Sequence, residues 1–245
     1  MERSKILEKS IALIGPKQVG KSFFAENLIE DKNTPDFVLS SDLLTNLIIY
    51  DLSGHWHSVV EGSELAEIGK LYKSIFNFRE LSPLVESLAK CQQSKNLTPK
   101  AKKVAMSYWK ARLLEEATEA LNRPYILDAG ADIGAVIELS NDEELMVSQA
   151  FYMPFDFIEK RMTSFLKDFG QRIYLKPEDN YKNLQGRAQD AENAIYLESG
   201  KSYKPFATIT VNCEDIYRTE KPKEVAVKSV IANISASLSQ GGMGE

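Results

Sequence analysis

The chain has 245 residues, of which 43% are hydrophobic and 27% charged, a composition typical of a globular protein with enough apolar side chains for a sizeable core. Its net charge of −5 argues against a basic nucleic-acid-binding surface, and no apolar run approaches the ~18 residues that cross a bilayer. Two widely spaced cysteines and a polar N-terminus, MERSKILEKS, favour a reducing cytoplasmic setting without disulfides. We therefore expect neither nucleic acid nor membrane as a partner.

The first predicted strand, Ile11–Ile14, leads into GPKQVGKS, which has the spacing Gly, four residues, Gly-Lys-Ser. This spacing is typical of phosphate-binding loops (P-loops), whose backbone N–H groups bind a polyphosphate at a helix N-terminus. A helical pattern follows the loop, as such a site requires. The predicted nucleotide-binding residues are Gly15, Pro16, Lys17, Gln18, Val19, Gly20, Lys21, Ser22 and Phe23.

The residues of this loop have distinct expected roles. Gly15 and Gly20 let the backbone turn closely around the phosphates, and the side chain of Lys21, expected at the surface of the cleft, reaches the outer phosphates. The Ser22 hydroxyl ligates Mg²⁺. The alternative, a plain glycine-containing turn between a strand and a helix, does not account for the Lys-Ser pair.

Further apolar runs bounded by turn residues predict a mostly parallel, five-stranded sheet flanked by helices, an α/β fold of the P-loop NTPase type. The remaining strand candidates are Phe37–Leu39, Tyr125–Leu127, Ile173–Leu175 and Thr208–Val211. We expect one domain over residues 1–237, with a helical insertion at about 48–124, a polar lid at about 180–204 and a disordered tail at 238–245.

The insertion carries two predicted helices. An amphipathic stripe begins after Pro83, and a second helix begins near Pro99 and continues to Asn122. Residues 142–169 are again helical in pattern. Because these helices lie outside the predicted sheet, the insertion is also a candidate docking site for a protein partner.

Two aspartates follow predicted strands, where ligands of open α/β sheets bind. Asp128 follows the apolar Tyr-Ile-Leu, and Asp42 follows Phe-Val-Leu-Ser-Ser. Either acid is suited to orient Mg²⁺ or to take a proton from an attacking group. The alternative for each is a helix N-cap, since Asp is favoured there for structural reasons alone.

Other polar residues allow two interpretations each. His55 and His57 would point to one side of an extended segment and chelate a metal, but a solvated loop is the stronger interpretation because no further ligand lies at close spacing. Arg187 is suited to phosphate contact by its fork of donors, or to a surface ion pair with Asp190 or Glu192.

The order of several motifs resembles shikimate kinase and its relatives among small-molecule kinases. These motifs are the P-loop, SSD after the second strand, FRE, AGADIG, the Arg-bearing lid and SYKPFATITV. The resemblance covers most of the chain, with inserted helical sequence between Ile48 and Pro124. It implies that the P-loop binds ATP, that Asp42 holds the acceptor hydroxyls, and that Arg79 of Phe-Arg clamps an acceptor carboxylate. Counting back from the third strand places Lys110 in that role instead.

The sequence also departs from the family pattern. Ser40 replaces an aspartate that contacts Mg²⁺ through water, which makes Asp128 the candidate metal ligand together with Ser22. The glycine triplet is reduced to Gly130, and Ser199 stands where a second carboxylate-binding Arg is expected. A lost bidentate partner costs on the order of 1–3 kcal/mol in a buried site. We therefore expect shikimate to be a poor substrate.

These observations predict an ATP- and Mg²⁺-dependent phosphotransferase that acts on a small hydroxylated acceptor. Lys21, Asp42, Asp128 and Arg187 are the candidate catalytic residues; Asp42, Arg79 and Gly130 are the candidate acceptor-binding residues. Two alternatives remain open at this point. The chain is a nucleotide-dependent regulatory ATPase or switch that docks a protein, or it binds nucleotide without turnover.

Overall fold

The computed structural model describes residues 9–15, 19–128, 164–165, 167–176, 207–213 and 223–240. These residues form one five-stranded sheet in the order β2-β3-β1-β4-β5. β1 runs parallel to β3 and β4, and β4 runs parallel to β5, so the predicted α/β class is confirmed. The strands are β1 (Ile11–Ile14), β2 (Val38–Ser40), β3 (Ile126–Asp128), β4 (Gln171–Lys176) and β5 (Ile209–Asn212).

The described helices lie mainly between β2 and β3, where residues 41–125 contain no strand. None of the described helices combines the length and apolarity that a bilayer-spanning helix needs. The helices are α1 (Lys21–Leu28), α2 (Ser41–Leu52), α3 (Ala66–Ile75), α4 (Phe78–Gln93), α5 (Pro99–Ala120) and α6 (Lys223–Gln240), with a π-helical turn at Trp56–Glu61.

The chain divides into two compact units. The first, called the sheet unit, comprises Met1–Leu39, Arg123–Gly134 and Leu166–Glu245. The second, called the helical unit, comprises Ser40–Asn122 and Ala135–Phe165.

The core of the sheet unit forms around β1, whose four residues are all buried. A continuous apolar run of this kind is expected for a parallel strand covered on both faces. α1 contributes Phe24 and Leu28 to the same cluster, and α6 contributes Val227 and Ile231. β1 lies between β3 and β4, and its carboxyl end is therefore at the kind of position where open α/β sheets bind ligands.

In the helical unit, a capping residue sets the start of α5 and a glycine allows α3 to pack closely. Thr98 accepts a hydrogen bond from the Ala101 N–H at 3.2 Å and caps α5, which starts with Pro99, a residue whose fixed φ suits the first turn. Gly69 of α3 lies so close to the π-helical turn that a Cβ atom there would come within 2.6 Å of Val60 Cγ1. This close approach requires glycine.

Several element boundaries differ from the sequence predictions. β2, β3 and β5 each lie one residue later than predicted, because pairing with neighbours sets strand ends; Asp128, for example, pairs with Leu13. α4 begins before Pro83 and contains it. The Ser82 hydroxyl donates to the Arg79 carbonyl at 3.0 Å, which supplies the hydrogen bond that Pro83 cannot make. α6 ends at Gln240, inside the range predicted as a tail.

Candidate functional site

The P-loop begins with a glycine that the surrounding backbone requires. Gly15 has φ +150°, and a Cβ atom at this position would lie 2.8 Å from the Leu175 carbonyl oxygen of β4. Both the backbone conformation and the contact therefore exclude a side chain. The first residue of the loop after β1 therefore packs directly against the backbone of β4. Pro16, Lys17 and Gln18 lie outside the described residues.

Gly20 joins the loop to α1. It is the N-cap residue in the left-handed conformation, with φ 97° and ψ 21°, and its carbonyl accepts from the Phe24 N–H at 2.9 Å. The N–H groups of the first helical turn have no acceptor inside the helix, and the helix dipole adds positive potential there. This geometry is the one that phosphate-binding loops use.

The predicted position of Lys21 at the cleft surface is wrong, because its side chain is buried. The Lys21 Nζ donates to the Gly15 carbonyl at 3.1 Å, so the ammonium closes the loop on itself. A buried ammonium needs acceptors, and the backbone carbonyl supplies one. Lys21 therefore lies at the P-loop with its charge directed to the loop backbone.

Ser22 and Asp128 meet at the carboxyl end of β3, the strand beside β1. The Ser22 hydroxyl donates to Asp128 Oδ2 at 2.6 Å. Asp128 is buried and is the last residue of β3. The structure thus brings together the two residues that the sequence predicted as metal ligands, although they lie 106 positions apart.

Ser22 and Asp128 suit Mg²⁺ better than they suit a metal ion whose ligands all come from the protein. A serine hydroxyl and a carboxylate are hard oxygen ligands, and Mg²⁺ is usually held by one or two such groups together with substrate phosphates. Across the described ranges there is no group of three or more His, Cys, Asp or Glu residues that would hold a metal. The donor set therefore fits a metal that shares its coordination with a nucleotide.

Asp42 lies at the start of α2, but its interpretation as an N-cap is wrong. Ser40 is the N-cap residue, since its hydroxyl accepts from the Leu43 N–H at 3.4 Å. Asp42 lies in the first turn and accepts from Lys110 Nζ at 2.9 Å. The Lys110 side chain is only 9% exposed and that of Asp42 is 64% exposed, so a buried cation holds an accessible carboxylate.

Tyr72 is a supporting residue that the sequence did not suggest. Its buried hydroxyl accepts from the Ser40 N–H at 3.0 Å and so ties α3 to the start of α2. The two residues are 32 positions apart, and although Ser40 belongs to the SSD motif, Tyr72 lies in no motif that the sequence analysis identified. Only the packing of the helical unit reveals this contact.

Arg79 lies in the first turn of α4 and is exposed. It lines a cavity of about 490 Å³ together with Asp51, Lys73 and the aromatic residue Phe78. Lys110, the alternative candidate for the same role, is the residue that contacts Asp42. The geometry therefore associates Lys110 with the candidate acceptor acid and associates Arg79 with a separate cavity of the helical unit.

The two histidines do not lie in an extended segment. His55 precedes the π-helical turn and contacts Ser53 Oγ through Nδ1 at 2.9 Å, whereas His57 lies in the turn and contacts Glu61 Oε2 at 2.5 Å. The hydrogen bond from His57 is the main cause that lowers the pKa of Glu61. Local polar contacts account for both rings.

Gly130, Arg187 and the predicted lid at about 180–204 fall outside the described residues, so their roles stay predictions.

One further contact at the P-loop could not be predicted from any motif in the sequence. Cys213, which follows β5, donates from Sγ to the Val19 carbonyl at 3.5 Å, across 194 positions.

No protein-family model and no curated protein sequence matches the chain. Among solved structures, the chain is similar to shikimate kinase from Acinetobacter baumannii in complex with shikimate, with 14% identity and a TM-score of 0.47 over 98% of each chain. That solved structure is a shikimate kinase, the family that the sequence motifs resemble. A likeness this distant assigns no role to any residue, so the roles proposed below rest on the chain's own contacts.

Proposed function

We propose that the chain binds ATP with Mg²⁺ and transfers the γ-phosphoryl group to a small hydroxylated acceptor. The observation that carries the proposal is the 2.6 Å hydrogen bond between Ser22 and Asp128. It joins the end of the P-loop motif to a buried acid at the carboxyl end of the adjacent strand, and this pair of oxygen donors supports a site for a Mg²⁺ ion that also binds nucleotide phosphates.

Each residue of the proposed site would have a separate role in binding or in phosphoryl transfer. Ser22 and Asp128 would hold the metal, and Lys21 would offset phosphate charge after exchanging its contact with the Gly15 carbonyl for one with the nucleotide. Bound ATP·Mg²⁺ supplies the electrophilic phosphorus and the leaving group. Asp42, an accessible carboxylate at the start of α2, would orient the acceptor hydroxyl and take its proton.

Additional parts of the proposal rest on the sequence. Arg187 would contact the transferring group, and Gly130 and either Arg79 or Lys110 would contribute to the acceptor site. The chain would act in the cytoplasm as a single domain over residues 1–237, and neither nucleic acid nor membrane would be a partner. The mild acidity of the chain and its two distant cysteines support this setting.

A protein-docking switch is less well supported. An apolar exposed surface on residues 84–121 would favour such a function. The large apolar side chains that the described residues expose lie in α1 or directly after it, in α2, in α3 and in α6, and none lies in the described part of residues 84–121. The structure therefore offers no specific observation for the switch in that segment.

A coupled assay of ADP release with a panel of hydroxylated metabolites tests the proposal, and shikimate at millimolar concentration belongs in the panel. We expect saturable, Mg²⁺-dependent ADP release with at least one acceptor and little with shikimate. The Lys21→Ala variant gives the background rate. Tight ATP·Mg²⁺ binding without acceptor-dependent release would contradict phosphoryl transfer and favour nucleotide binding without turnover.

A further inference from the structure

The ends of β4 and β5 support the P-loop from the protein interior. Gly15 packs against the Leu175 carbonyl of β4, and the Cys213 thiol after β5 reaches the Val19 carbonyl at 3.5 Å. Val19 and Cys213 are both buried. The Cys213 N–H donates to the Lys176 carbonyl at 3.0 Å, so the backbone that carries the thiol is itself fixed to β4.

The thiol contact fixes the orientation of one peptide group in the loop. The described chain contains no cis peptide bond, so the Val19 carbonyl and the Gly20 N–H, which belong to the same planar peptide, point in opposite directions. The carbonyl points inward to Cys213. The Gly20 N–H therefore points away from the interior, at the residue that caps α1.

The Val19 carbonyl has a physical need for this donor. A buried carbonyl without a hydrogen bond is costly, and a peptide that lacks an inward partner is free to rotate. Rotation would turn the Gly20 N–H away from the phosphate side of the loop. A thiol is a weak donor, but it is small enough to fit in a wholly buried space.

We propose that Cys213 is a positioning residue of the nucleotide site, whose thiol holds the Val19–Gly20 peptide so that the Gly20 N–H is presented to a bound phosphate. This inference rests on the proposed nucleotide-binding function. It assigns a role to a buried residue that touches neither the acceptor nor the reacting atoms. Its effect reaches the ligand only through the orientation of one peptide.

The test compares Cys213→Ala, which removes the donor, with Cys213→Ser, which replaces it by a hydroxyl. Calorimetry with ATP·Mg²⁺ and with inorganic triphosphate measures binding, and thermal unfolding measures stability. We expect Cys213→Ala to raise both dissociation constants about two- to tenfold, the range for one lost neutral hydrogen bond, and Cys213→Ser to restore them to within about twofold. Should Cys213→Ala fail to fold, Cys213→Val also lacks a donor and gives the same comparison.

The chain offers a matched control in Cys91, the other cysteine, which lies partly buried in the helical unit. Cys91→Ala should leave both dissociation constants unchanged. Equal affinities for Cys213→Ala and wild type would overturn the inference, and so would a loss that affects ATP but not inorganic triphosphate. Failure of the wild-type protein to bind ATP·Mg²⁺ would instead contradict the proposed function, so the two failures are distinguishable.

Discussion

Asp128 of the sheet unit and Asp42 of the helical unit arise from the same sequence pattern, an aspartate next to a short apolar strand, yet they have opposite surroundings. Asp128 is buried and accepts from the Ser22 hydroxyl at 2.6 Å. Asp42 is largely exposed and accepts from the buried Lys110 ammonium at 2.9 Å. The partner that packing brings to each acid, rather than the strand before it, distinguishes their chemistry.

The two partners favour different functions. A hydroxyl and a carboxylate side by side provide two oxygen ligands for a hard cation. The Asp42 carboxylate instead pairs with the buried Lys110 ammonium. This ion pair offsets the free-energy cost of burying the lysine charge. We therefore expect the sheet unit to carry nucleotide and metal binding and the helical unit to carry acceptor binding. Matched substitutions in the two units test this division.

The largest expected effect concerns two glycines with positive φ. Gly15→Ala adds backbone strain and places Cβ 2.8 Å from the Leu175 carbonyl, whereas Gly54→Ala, at φ +74°, meets nothing within 4 Å. We expect Gly15→Ala to lower the free energy of unfolding by about 3 kcal/mol or more. Gly54→Ala should lower it by about 1 kcal/mol. Urea denaturation measures both, and similar costs would contradict the tight packing of the P-loop on β4.

Two lysines give the next contrast. Lys21→Ala should weaken ATP·Mg²⁺ binding at least about tenfold, because a charged hydrogen bond to phosphate is lost. Lys70→Ala, which removes an exposed lysine paired with Glu67 in the helical unit, should not change affinity. Isothermal calorimetry measures the two dissociation constants. Wild-type affinity in Lys21→Ala would show that the motif does not bind nucleotide.

The two aspartates themselves give a smaller effect, on metal dependence. Asp128→Asn keeps the shape and removes the charge beside Ser22, so the Mg²⁺ concentration for half-maximal turnover should rise about tenfold, by the loss of roughly one charged contact. Asp42→Asn should lower turnover without changing the Mg²⁺ requirement. Titration of Mg²⁺ in the ADP-release assay separates the two. An unchanged requirement in Asp128→Asn would remove Asp128 from the metal site.

The smallest expected effect is a local titration in the helical unit. The hydrogen bond from His57 lowers the pKa of Glu61 below its usual value. A carboxyl with a lowered pKa in the folded state contributes stability above its ordinary pKa, and this stability is lost as the pH falls through the lowered value. His57→Ala should therefore raise the pKa of Glu61, which NMR titration detects. An unchanged pKa would exclude the contact in solution.

Local patterns predicted the parts of the fold and site that short segments determine. The β1 run, the P-loop spacing and the aspartates near strand ends each depend on a few consecutive residues, and the five-stranded α/β sheet follows from such segments in order. The strand ends were displaced by one residue because pairing, as between Leu13 and Asp128, sets them.

Other contacts between distant residues, unlike that between Ser22 and Asp128, could not be predicted in the same way. Lys110 meets Asp42 across 68 positions, and Cys213 meets Val19 across 194. A lone lysine in a helix or a lone cysteine after a strand has no local signature for such a role. The predicted helix start after Pro83 was wrong for a related reason. The Ser82 hydroxyl donates to the Arg79 carbonyl and helps α4 to accommodate a proline, which usually ends a helix.

The strand order has a consequence for the way the chain folds. β1 is made first, but Ile11 pairs with Ile126 on one side and with Gln171 on the other. During synthesis, the apolar central strand must therefore wait for much of the chain before either neighbour exists. The contacts of α2 to α5 span shorter sequence separations, and short-range contacts form sooner because less chain entropy is lost. Helices α2 to α5 can therefore form while the strand that leads into the P-loop still lacks its neighbours in the sheet.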